Sequence, residues 1–163
     1  MAKRPVKTLI VVADGSRARF FRIEADKLVS AGLSDLVSPR SRLRARALAS
    51  DSPGRGFSSA RGGARHALES QEDYHKLEKH RFMAIVAATL GTANANREFD
   101  ELILVAPRRS LGELRELLSA AVRRRVREEV PKDLTNEPVT RLRQRLAPVL
   151  GSRIAAPERM RAV

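Results

Sequence analysis

The apolar positions of this chain fall into two kinds of run. Thr8 to Ala13 and Leu102 to Ala106 are unbroken and aliphatic or β-branched, the pattern of strands covered on both faces and therefore central in a sheet. Arg17 to Ile23 reads as a returning strand, with Ala18 and Phe20 on one face and Phe21 and Ile23 on the other. Asp14-Gly15 lies between the first two runs and predicts a hairpin. Ala25-Asp26-Lys27 marks a second turn. Leu28 to Val37 reads as a third, weaker strand, interrupted at Gly32.

The second half changes period. From about Gln71 to Ala93 the spacing is helical, and Tyr74, Leu77, Phe82, Ile85, Val86 and Thr89 form the stripe expected to pack on the sheet. After the Leu102 strand and a short Pro107-Arg108-Arg109 loop, Ser110 with Glu113 three residues on predicts a capping box. The helix it opens carries Leu111, Leu114, Leu117, Leu118, Ala121 and Val122 inward and ends at Arg123-Arg124-Arg125, where cations suit the dipole. Val126 to Val130 reads as a short strand. Asp133 or Thr135 opens a last helix with Val139, Leu142, Leu146 and Val149 as its stripe and Gly151 as its stop.

This order predicts an α/β fold: a mixed sheet of about five strands, with an antiparallel front hairpin and helices on both faces. At 163 residues the chain suits one domain, spanning 1–150, with a polar tail at 151–163. Residues 39–70 break the pattern. They hold seven arginines, six serines, four glycines and two prolines with no period, and read as a long, basic, mobile loop.

Composition narrows the chemistry. The chain has no cysteine, which excludes disulfide partners and thiolate sites and suits a reducing cytoplasm. The apolar run behind the amino terminus is too short for a signal peptide or a membrane span, so the expectation is a cytoplasmic protein without membrane insertion. The net charge is +13, built from 26 arginines and six lysines. That surplus attracts polyanions, and arginine grips phosphate bidentately. With five Phe, one Tyr and no Trp, backbone contact fits better than base stacking.

Candidate sites follow from these patterns. Arg108, Arg109 and Ser110, between a buried strand and a helix, suggest an anion site. Arg55, Arg61 and Arg65 flank Gly62-Gly63 and His66 in a loop whose glycines let backbone approach RNA closely. Glu72 and His75 share a helix face, but one such motif falls short of a di-metal site. Asp14 and Asp133 are placed where a nuclease would hold metal carboxylates; a hairpin turn and a helix cap account for them more simply. No dinucleotide fingerprint or P-loop is present, and no cofactor is called for.

Several segments together resemble the host attachment protein family: Val12 to Phe20, Ser52-Pro53-Gly54-Arg55, Leu102 to Pro107 running into Leu111-Gly112-Glu113-Leu114-Arg115, and Lys132-Asp133-Leu134-Thr135. More distantly, the chain resembles the middle domain of eukaryotic and archaeal release factors and Pelota. That resemblance implies an RNase H-like sheet and a Gly-Gly-Gln loop that works in the ribosomal catalytic centre. Arg61-Gly62-Gly63 matches the loop, while Ala64 stands where the glutamine belongs. The resemblance therefore implies a non-catalytic module that binds ribosomal or transfer RNA. The alternatives are a hydrolase acting on peptidyl-tRNA or RNA, and an indirect role in attachment to host cells. The sequence sets no oligomeric state.

Overall fold

The computed structural model describes residues 4–40 and 63–154, with backbone alone at 63–68 and 152–154. Six strands form one sheet: β1 (Thr8–Ala13), β2 (Arg17–Glu24), β3 (Lys27–Ser30), β4 (Leu36–Val37), β5 (Glu101–Val105) and β6 (Val126–Val130). Their order is β3-β2-β1-β5-β6, with β4 also on β2. The third strand foreseen over 28–37 is split in two by Ala31–Asp35, and both pieces pair antiparallel with β2. β1 is antiparallel to β2 and parallel to β5, which is parallel to β6. The sheet is thus mixed, with six strands in place of about five.

Helices α1 (Gly63–Ala95), α2 (Arg108–Leu117), α3 (Ala120–Arg123) and α4 (Val139–Ile154) cover it. The alternation of β1 decides the layers. Leu9, Val11 and Ala13 face a core shared with Phe82, Val86 and Leu90 of α1 and with Leu111 and Leu114 of α2. Ile10 and Val12 face the other way, onto Leu142, Leu146 and Leu150 of α4. Among the described residues, one face therefore carries three helices and the other carries one. β2 splits as its sequence predicts, with Ala18 and Phe20 in the first core and Phe21 and Ile23 with the second.

Several expectations about the helices are corrected. The buried face of α1 is Phe82, Met83, Val86, Ala87, Leu90 and Ala93. Tyr74, Leu77 and Ile85 are 43%, 45% and 48% exposed: Tyr74 and Leu77 precede the half of the helix that packs on the sheet, and Ile85 lies on the solvent side of that half. α1 also begins at Gly63, so the last eight residues of the 39–70 loop reading are helical, while 41–62 lie outside the described residues. Ser110 does not cap α2. The cap is Pro107, which offers no side-chain hydrogen bond, and Glu113 pairs with Arg109 at 3.5 Å.

The long helix expected from Ser110 to Arg125 is two helices. The first ends at Leu118, and Ser119 then caps α3, its Oγ accepting from the Val122 N–H at 3.3 Å. The last helix starts at Val139, after Asp133 and Thr135, and runs through Gly151 to Ile154. The tail reading at 155–163 lies outside the described residues.

Candidate functional site

β1, β5 and β6 run parallel, so their carboxyl ends lie along one edge of the sheet. Crevices at that edge are where open α/β sheets bind ligands. Here a cleft of about 310 Å³ is lined by Asp14 and Ser16 after β1, Pro107, Arg109, Ser110 and Glu113 after β5, Asp133 after β6, and Lys79 of α1.

Asp14 builds the floor. Its Oδ1 accepts from the Ser16 N–H at 2.7 Å, the Ser16 hydroxyl at 2.9 Å and the Arg17 N–H at 2.8 Å. This closes the turn foreseen from Asp14-Gly15, by a side-chain bond to backbone two and three residues on. Its Oδ2 accepts from the hydroxyl of Thr135 at 2.7 Å. Burial, the largest single influence, pushes the Asp14 carboxyl up, but the bonds from Thr135, Ser16 and Arg17 together outweigh it and hold it below the usual carboxylate range.

Thr135 joins two loops that are far apart in the chain. It is 0% exposed, and its hydroxyl also stands 2.9 Å from Asp133 Oδ1. A hydroxyl has one hydrogen to give, so the two carboxylates share a single donor. The loop around Thr135 is tied to β2 by Arg19, which donates to the carbonyls of Thr135 at 3.2 Å and Glu137 at 2.7 Å. The Arg19 guanidinium also lies 4.9 Å from the centre of the Phe21 ring.

Gly15 is needed for space. A Cβ there would stand 2.7 Å from Lys79 Cγ and 2.9 Å from Cδ, closer than carbon atoms pack. Lys79 therefore lies across the turn, and no described residue pairs with its ammonium. At the opposite wall, the first N–H groups of α2 have no carbonyl of their own helix to bind, and Pro107 supplies no side-chain acceptor. The positive end of a ten-residue helix opens on the cleft beside Arg109.

Of the residues the sequence singled out, Arg109 and Ser110 line the cleft, while Arg108 is exposed outside its lining. Asp14 and Asp133 are brought together through Thr135. Asp14 fills the turn role foreseen for it; Asp133 binds Thr135 and caps no helix. Arg55, Arg61 and Gly62 lie outside the described residues. Gly63, Arg65 and His66 fall in the first turn of α1. At 1.5 Å per residue, Gly63 is about 24 Å along the helix from Lys79, so Gly63 does not line the cleft. His75 contacts Arg40, Nδ1 to Nη1 at 3.4 Å. Among the described residues no group of three or more His, Cys, Asp or Glu is placed to hold a metal.

Sequence reasoning missed Lys79 and Thr135. Lys79 stands three and four residues before Phe82 and Met83, so it continues the buried stripe past the end of the sheet. Thr135 has the short spacing from Asp133 typical of side-chain turns. A larger hollow of about 690 Å³ lies at the amino edge of the sheet. Its Arg22 and Glu24 pair with each other at 2.6 Å, and Lys7 turns to the Arg97 carbonyl at 3.4 Å.

Among the described residues no helix is long and apolar enough to cross a membrane. No curated protein matches the chain. The profile of the family described as a protein required for attachment to host cells matches residues 9–146. That span holds the Asp14 turn, the α2 amino end and the Thr135 loop, and the chain belongs to this host attachment family.

Proposed function

We propose that this protein is a non-catalytic, release-factor-like module that binds ribosomal or transfer RNA through its phosphate backbone. One observation carries the reading: the uncapped amino end of α2, Arg109 and Lys79, whose ammonium no described residue pairs, converge on one cleft at the carboxyl edge of the sheet. The cleft also holds the carboxylates of Asp14, Glu113 and Asp133; Thr135 engages the two aspartates and Glu113 pairs with Arg109 at 3.5 Å, so Lys79 and the peptide N–H groups of α2 are the donors left for a phosphate. Arg61, before α1, and Arg65 and His66, in its first turn, add to the basic composition. The net charge of +13 supplies the long-range attraction.

The test is co-sedimentation with ribosomes across a salt series. Lys79→Glu and Arg109→Glu are each expected to weaken binding by about tenfold and to lower the salt slope by about one. Deleting residues 52–66 separates the contribution of the glycine segment. Binding unchanged in both charge reversals would overturn the reading.

The family description supports a second reading, a role in attachment to host cells. Surface labelling of intact cells tests its direct form, in which the protein is exposed outside.

A further inference from the structure

The solvent face of α1 is not an ordinary charged face. Tyr74, Glu78, Arg81, Ile85, Ala88 and Thr92 follow one another in alternating steps of four and three residues, the spacing of a coiled-coil seam. Ile85, Ala88 and Thr92 are exposed, and Tyr74 is exposed on one side while the Arg40 guanidinium stacks 3.7 Å from its ring centre on the other. The only charges in the row, Glu78 and Arg81, bind each other at 3.1 Å. Leu77 flanks the row and is exposed as well. The buried face of the same helix is a separate row, through Phe82, Val86 and Leu90. Core packing therefore does not explain the outer seam.

We propose that a second copy of this chain docks on this face, its α1 antiparallel to the first. Charge chooses both partner and direction. A parallel pair would set Glu78 against Glu78 and Arg81 against Arg81. An antiparallel pair in which residue numbers across the seam add to 159 sets Glu78 of each copy against Arg81 of the other. The same register lays Tyr74 on Ile85 and Gln71 on Ala88, a large side chain against a smaller one in each layer.

Helix length agrees with this register. α1 is 33 residues, Gly63–Ala95, about 50 Å. Its carboxyl half packs on the sheet from Phe82 onward. Its amino half projects past the turn that Lys79 crosses. The register is centred between Lys79 and His80, at the middle of the helix. Each overhanging half would then cover the exposed seam on the packed half of the other copy. A C2 interface is self-complementary in this way.

The experiment is sedimentation equilibrium of the full chain over a concentration range, with Glu78→Arg, Arg81→Glu, the double swap, and Ile85→Glu. A dimer is expected for the parent chain. Each single charge reversal and Ile85→Glu should weaken it at least about tenfold, and the double swap should restore it to within about threefold. The parent chain has no cysteine, so a Gln71→Cys, Ala88→Cys pair reads the register directly. Oxidation should link two copies, whereas Gln71→Cys alone should not, because its two copies would stand about 25 Å apart along the seam. All substituted side chains lie on the solvent face, and a thermal melt of each variant checks that it is folded. A monomer at every concentration, a dimer unaffected by these changes, or a double swap that fails to restore it would overturn the proposal.

Discussion

Asp14 shows how one carboxylate can set the shape of an edge. Four donors from two loops meet it, and removing an acceptor from that many buried or half-buried donors costs about 1–3 kcal/mol. Asp14→Ala should therefore lower unfolding free energy by that amount at neutral pH, measured by urea titration. The bonds hold the carboxyl below its ordinary value. A depressed folded-state pKa contributes stability that is complete above the unfolded value of about 4 and is lost as pH falls through the folded value. Asp14→Asn should accordingly flatten the loss of stability below about pH 4. An acid limb identical to that of the parent chain would show that other carboxylates control it. Gly15 makes a separate prediction. Because a Cβ there meets Lys79 Cγ at 2.7 Å, Gly15→Ala should cost about 1–3 kcal/mol. Lys79→Ala should remove most of that cost, a coupling that a double-mutant cycle measures.

At the scale of elements, the hairpin joining β2 and β3 carries strain that substitution can relieve. Glu24 pairs with Lys27 across a two-residue turn, and Ala25 and Asp26 have φ of 45° and 63°. Such turns favour Asn and Gly, because alanine in the left-handed region crowds its own carbonyl. Ala25→Asn combined with Asp26→Gly should raise unfolding free energy by about 1 kcal/mol, read in the same urea titration; a loss would mean that Asp26 has an unseen role. The elements also show what the sequence made legible. β1, β2, β5 and β6 were readable because their side chains obey a short period and their ends carry turn residues. α1 was readable as a helix, but its phase was not. Tyr74, Leu77 and Ile85 have the composition of a core stripe, but Tyr74 and Leu77 lie before the packed half that begins at Phe82, and Ile85 lies on its solvent side. The start of α2 was misplaced because Ser110 and Glu113 fit a capping box, while proline at the cap leaves no side-chain signal. The cleft was half legible. Arg109 and Ser110 are neighbours in sequence, whereas Thr135 reaches Asp14 across 121 residues, which no local pattern encodes.

For the whole molecule, the two opposing uses of charge make one further prediction. The chain carries +13, and a net charge that large destabilises a compact state by self-repulsion. The described ion pairs act in the other direction. Arg4–Asp100 at 3.4 Å and Arg22–Glu24 at 2.6 Å are solvent-exposed, and pairs of that kind are worth between nothing and about 1 kcal/mol. Arg115 is held more firmly, its Nε at 2.9 and 3.0 Å from the two oxygens of Glu129, which ties α2 to β6. Salt screens repulsion and pairs alike, with a Debye length that falls from about 30 Å at 0.01 M to about 8 Å at 0.15 M. Repulsion among many exposed arginines acts over the longer distance and is lost first. The pairs act at contact and persist. Raising salt through that range should therefore stabilise the fold, by about 1 kcal/mol or about 2–4 °C in Tm. The same salt change should weaken the proposed RNA binding, since counterion release would drive it. Stability and affinity would then move in opposite directions in one titration, followed by melting and by co-sedimentation. If Tm fell with salt while affinity also fell, the ion pairs would outweigh the repulsion. If affinity did not change, the positive charge would have no part in binding, and the phosphate reading of the cleft would fall with it.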